Sequence, residues 1–181
     1  EHVNMAMAMA HETDSATLRL KAQIEFNLRE YRRAAATLIQ LRKMTPLGVN
    51  EEIMLARSYY QSRAPGVGRK MLTRVLDQNP GQSAIALELY RQEGDGSNRP
   101  EIVEQALTHA LAADPGNFKV LEALTEIDLK AGESDNAMAR VNEIIEPSNW
   151  IGPPYLIRAQ IHLSQGRVKA ARDDAERARL L

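Results

Sequence analysis

Four histidines, one acidic triplet and one glycine-basic stretch are the residues of this chain whose types could do chemistry. His2, His11, His109 and His162 include no pair at the i, i+4 spacing that places two imidazoles on one helix face for a metal. They read as surface or partly packed side chains. Asp173, Asp174 and Glu176 could gather a cation, but Arg172 and Arg177 flank them, so a solvated, self-paired helix face is expected. Gly66-Val67-Gly68-Arg69-Lys70 has a phosphate loop's composition without its spacing or its preceding strand. It reads as a helix start with a small residue at a crossing. The chain has no Cys, which removes disulfides, a thiol nucleophile and cysteine zinc sites. No catalytic residue, metal or cofactor is expected from these patterns.

Composition bounds the fold and the partner class. Lys plus Arg is 23 against 24 Asp plus Glu, so net charge gives no reason to expect nucleic acid or an anionic membrane. Aromatics are 4% while Ala, Leu and Arg recur, a bias toward helix and away from a β-sandwich. No apolar run approaches the length of a spanning helix, so direct membrane insertion is not expected. The chain begins Glu-His-Val-Asn without Met and ends at Arg179-Leu180-Leu181 in mid-pattern, and reads as part of a longer protein.

The elements that must position any site repeat along the chain. Pro46, Pro80 and Pro115 each close an amphipathic run and precede Gly within two residues, at separations of 34 and 35. Numbering repeats from Ser15, Val49, Ser83, Phe118 and Gly152, position eight holds Ala22, Ala56 and Ala159. Position twenty holds Ala34, Gly68, Ala137 and Ala171. Position twenty-four holds Leu38, Leu72, Val141 and Ala175, and position twenty-seven Leu41, Val75, Ile144 and Ala178. Small residues thus recur where two helices would cross, with larger apolar ones about a turn later. Each repeat reads as two helices, near 16–28 and 31–43, 50–62 and 66–78, 83–93 and 100–113, 117–131 and 135–146, and 153–165 and 168–181. The third repeat is one residue long, with the surplus in Gly94-Asp95-Gly96-Ser97-Asn98. Residues 1–14 are expected to be the second helix of a truncated preceding repeat. Within them, Met5-Ala6-Met7-Ala8-Met9 reads as a helix end exposed by truncation.

A 34-residue period with these small, bulky and Pro positions resembles the tetratricopeptide repeat, over residues 15–181. The resemblance implies an all-α, right-handed α-solenoid of antiparallel helix hairpins, divided 15–48, 49–82, 83–117, 118–151 and 152–181. The match departs at position four, where the family's usual aromatic is replaced by Leu18, Glu52, Ala86 and Leu121, Tyr155 alone conforming. The fourth repeat has Asn149 in place of the closing Pro, with Pro147 earlier. Divergent repeats of this kind look bacterial and are similar to scaffolds of cell-envelope assembly and polysaccharide secretion. That similarity places the periplasm ahead of the cytoplasm.

The resemblance also implies a concave groove lined by the first helix of each repeat. By position, that groove would carry Arg19, Gln23, Phe26, Arg57, Tyr60, Arg91, Glu122 and Glu126. Arg19, Arg57 and Arg91 would form a cationic line beside Phe26 and Tyr60, suited to carboxylates and peptide backbone. Glu122 and Glu126 would turn the far end negative. Residues 29–74 carry ten basic and three acidic side chains, and residues 101–150 three basic and ten acidic, so a partner of opposite pattern would be steered to the chain. The carboxylate clamp of chaperone-tail adaptors is not matched, since its positions hold Arg19, Gln23, Met54, Ala84 and Glu88. The expected partner is a protein or peptide segment, without chemistry. Self-assembly through helix ends, or a helical part of a larger regulatory or enzymatic protein, is the alternative.

Overall fold

A computed structural model describes the backbone of residues 2–93, 100–147 and 149–181, and the side chains of the same residues except 2–13 and 100. The turn expected at Gly94–Asn98 lies outside the described residues, as do the side chains of His2, His11 and the Met-Ala stretch. Every described element is helical: α1 (His2–Asn27), α2 (Tyr31–Met44), α3 (Val49–Gln61), α4 (Pro65–Gln78), α5 (Ser83–Glu93), α6 (Pro100–Ala113), α7 (Phe118–Lys130), α8 (Ser134–Ile145), α9 (Gly152–Ser164) and α10 (Val168–Leu180). From α2 onward these bounds lie within two residues of the expected spans. At the start the structure differs. Residues 1–14 are not a separate second helix, because α1 runs unbroken from His2 to Asn27. No Gly or Pro occurs before Pro46, and the Met-Ala stretch is made of good helix formers, so nothing in the sequence stops the helix there.

The ends of the other helices follow from local chemistry. Pro46, Pro80 and Pro115 each stand two residues beyond the last residue of α2, α4 and α6. Thr45 before Pro46 is extended, at φ −150° and ψ 149°, as a residue preceding proline prefers. Pro147 keeps the same distance from the end of α8. The fourth repeat therefore has its stop signal, displaced because its second helix is shorter. Inside four of the hairpins the first helix ends in a doubly bonded C-terminal turn. The amide of Glu30 donates to the Glu25 carbonyl and that of Arg29 to Phe26, and the pattern recurs at Ala64 and Arg63, Glu133 and Gly132, and Arg167 and Gly166. This turn requires a left-handed residue. Gly132 and Gly166 supply it at φ 79° and 72°, but Arg29 and Arg63 occupy it at 61° and 63°.

The chain forms two compact units, one up to Gln78 and one from Asn79. In the first, α1–α4 pack in chain order around Ala22, Ala35, Leu38, Leu41 and Leu55, with Leu18, Met54, Tyr59 and Met71 at the margin. In the second, α5–α10 pack in chain order, and the first helix α7 also touches the first helices α5 and α9. That core holds Leu121, Ala137, Val141, Ile145, Tyr155, Ile157 and Ile161. The small positions are where the hairpins close: Ala22, Ala34, Ala56 and Ala137 are fully buried. A Cβ placed on Gly68 would lie 2.9 Å from the Ala56 carbonyl oxygen, so position twenty of α4 meets position eight of α3 at backbone distance.

Candidate functional site

In the first unit the expected groove residues stand on α1 and α3, each already engaged locally. Arg19 Nε donates to Glu51 Oε1 across the two helices at 2.6 Å. The Glu51 carboxylate also accepts the Gly48 amide at the start of α3. Arg19 therefore brings its own counter-charge, which the groove reading did not include, and an exposed pair of this kind contributes about 0–1 kcal/mol. Gln23 donates to Asn27 one turn on, at 3.1 Å. Phe26 meets Tyr31 of α2 edge to face, centroids 5.4 Å apart, so its ring reaches the start of the second helix. Arg57 is half-buried on α3. Tyr60 is half-buried with its ring edge over Gly68, where the missing Cβ makes room for it.

In the second unit the remaining three residues come together. Arg91 of α5 and Glu122 and Glu126 of α7 line one depression of about 490 Å³, floored by Leu87 and Ala123 and shared with Tyr90 and Lys119. The Tyr90 hydroxyl donates to the Glu126 carboxylate, tying α5 to α7. Arg91 donates to Glu88, a buried carboxylate that also accepts from Gln92 at 2.8 Å. Glu122 and Lys119 are exposed on the rim. The depression thus presents charges of both signs around an apolar floor. The expected line Arg19–Arg57–Arg91 draws residues from both units and remains part of the proposal below.

The acidic triplet is corrected. Asp173 and Glu176 are exposed, but Asp174 is buried and not self-paired on α10. It accepts from Arg158 Nε at 2.8 Å and Nη2 at 2.7 Å, with His162 Nε2 at 3.6 Å. Arg158 also donates to Asn142 and lies over the Tyr155 ring, 5.1 Å from its centroid. The hydrogen bond to Asp174 is the largest influence raising the Arg158 pKa. Asp128 is the equivalent in the fourth repeat: it is buried, accepts from Arg140 Nε at 2.9 Å, and Arg140 reaches on to Glu104. Burial pushes the Asp128 carboxyl up, against the lowering by Arg140. Glu25 and Thr37 make the corresponding bond in the first repeat, at 2.6 Å. Glu25–Thr37, Asp128–Arg140 and His162–Asp174 all join positions eleven and twenty-three. A polar pair thus recurs inside the hairpin in three of the five repeats, whereas the second has Tyr59 and Met71 there. Glu52, in the place of the family's aromatic, is likewise raised by burial and held beside Arg42 and Arg74. These charges are spent on structure, and among the described residues no three His, Asp or Glu side chains form a metal-binding group.

No family model matches the chain, and no curated protein does. Solved structures do. The fold resembles that of MamA. One MamA crystal structure aligns at a TM-score of 0.65 over 91% of this chain and 90% of that one, with 14% identity. Pseudomonas aeruginosa PilF aligns at 0.63 over 94% of this chain and 78% of that one, also at 14% identity. Both are helical proteins of the tetratricopeptide type, and at this identity the likeness is one of fold.

Proposed function

We propose that the chain is a non-enzymatic interaction scaffold whose five repeats bind a segment of a partner protein along the first-helix faces. The depression between α5 and α7 is the observation that carries this reading: Arg91, Glu122 and Glu126, chosen by repeat position, open on one mixed-charge surface with an apolar floor. In the first unit, Arg19, Gln23, Phe26, Arg57 and Tyr60 are the corresponding first-helix residues. Envelope assembly or polysaccharide secretion in a bacterium is the setting we favour, supported by the fold shared with a Pseudomonas aeruginosa protein. The test is titration of the partner, once captured, against Glu122→Lys and against Arg172→Glu on the exposed face of α10. Glu122→Lys should weaken binding about tenfold or more, and Arg172→Glu less than about threefold. Equal losses would show that long-range charge alone drives association.

A second reading, self-association through helix ends, has its own support. Leu20, Ile24 and Leu28 form an exposed i, i+4, i+8 apolar row at α1, and Val168, Leu180 and Leu181 are exposed on the last hairpin. Light scattering on wild type and Ile24→Glu tests it: an oligomer that the substitution dissociates supports it, and a monomeric wild type removes it.

A further inference from the structure

A second depression, of about 410 Å³, lies in the first unit at the turn ends of its two hairpins; its lining includes none of the residues assigned to the groove, though its Tyr31 meets Phe26. It is lined by Arg29 from the α1–α2 turn, Arg32 and Arg33 from the first turn of α2, and Arg63 from the α3–α4 turn. Arg33 pairs there with Glu30, at 2.9 Å. Arg29, Arg32 and Arg63 form no ion pair among the described residues. Four arginines and one carboxylate, Glu30, thus line the surface, and Glu30 is engaged by Arg33, which leaves an excess of positive charge.

The backbone makes the placement of two of them informative. Arg29 and Arg63 occupy the left-handed position of the hairpin turn, where the fourth and fifth repeats use Gly132 and Gly166. A long side chain there is strained, whereas glycine is not. The strain falls at equivalent positions of two adjacent repeats, and both side chains line the same depression. The shared hairpin turn sets this backbone, and it brings the two side chains to one end of the unit.

We propose that this arginine basin binds an acidic segment of a partner protein, and that it is a contact separate from the first-helix faces. Guanidinium forks match carboxylates in paired geometry. The basin is open and shallow, which suits a segment lying across it rather than an enclosed small anion. Tyr31 and Gln61, which also line it, add polar groups of the kind that bond a peptide.

The test uses the whole chain and a fluorescein-labelled hexaglutamate peptide, followed by anisotropy at low and at physiological ionic strength. The double variant Arg29→Gly, Arg63→Gly removes two of the cations while relaxing both turns. It should keep or raise the urea midpoint and weaken peptide binding about tenfold or more. Arg32→Ala, on regular helix, should weaken binding severalfold and provides the second variant if the turns tolerate glycine poorly. Lys43→Ala, Lys70→Ala removes the same charge from exposed positions of the same unit and should cost less than about threefold. Three results would overturn the proposal: equal losses for the two double variants, no binding of hexaglutamate to wild type, or displacement of the peptide by inorganic phosphate at matched ionic strength. Binding only to vesicles containing phosphatidylglycerol would reassign the basin to a membrane surface and overturn it too. A failure here leaves the Glu122 titration untouched, because that test probes the other unit.

Discussion

Gly66 and Gly68 lie two residues apart in α4, and the structure gives their replacement by alanine opposite signs. Glycine inside a helix ordinarily costs up to about 1 kcal/mol relative to alanine. A Cβ on Gly66 meets nothing within 4 Å, so Gly66→Ala should stabilise by a few tenths to about 1 kcal/mol, less at the first turn than mid-helix. A Cβ on Gly68 would sit 2.8 Å from Tyr60 Cδ2 and Cε2 and 2.9 Å from the Ala56 carbonyl oxygen. The ring can tilt, but the carbonyl belongs to the backbone of α3 and moves only with its helix. Overpacking of this kind costs about 1–3 kcal/mol, so after the propensity gain Gly68→Ala should destabilise by roughly 0.5–2 kcal/mol. Urea denaturation followed by far-ultraviolet circular dichroism measures both variants. The midpoint should rise for Gly66→Ala and fall for Gly68→Ala, with slopes unchanged. A midpoint that rises for Gly68→Ala would show that α3 and α4 do not cross closely there, and the repeat register built on position twenty would fail.

Ala171→Leu overfills the same position in the last hairpin and should lower the urea midpoint by an amount equivalent to about 1–3 kcal/mol; an unchanged midpoint would contradict a close α9–α10 crossing. Asp174→Ala leaves Arg158 without its main acceptor and should cost about 1.5–3 kcal/mol by the same assay, with loss below about 0.5 kcal/mol marking the pair as dispensable. Asp128 supplies a pH test. Its carboxyl is raised above the ordinary 3.8, chiefly by burial, so the folded state holds the proton more tightly than the unfolded state does. That contribution is present below the ordinary value and is lost as pH rises through the raised one. The stability of Asp128→Asn relative to wild type should therefore increase across that window and level off above it; a flat difference would contradict the burial cost.

The hairpins were legible because their signals are local and periodic. Pro46, Pro80 and Pro115 stop helices through the backbone alone, and Ala22, Ala34, Ala56 and Ala137 mark crossings by being small. Other features depend on partners far apart in the chain. Asp174 looked solvated because Arg172 and Arg177 are its neighbours in sequence, whereas its partners Arg158 and His162 lie on the facing helix. Aligning the repeats by polar residues at positions eleven and twenty-three would have revealed that pair. Of the groove residues, Arg91, Glu122 and Glu126 meet because first helices touch in the second unit. The pairing of Arg19 with Glu51 and the seating of Tyr60 on Gly68 were not legible, since position in a repeat fixes a helix face but not the neighbour a long side chain selects. The arginine basin escaped notice for a related reason: Arg29 and Arg63 look like ordinary surface charges until their left-handed backbone is seen.

Carbodiimide footprinting of the carboxylates, with and without the captured partner, tests most directly whether the first-helix faces do the binding. Glu122 and Glu126 on α7 should lose reactivity in the complex, while Asp135 and Glu143, exposed on α8, should keep theirs. Protection of Asp135 and Glu143 with Glu122 left reactive would place the partner on the second helices and contradict the proposed scaffold surface.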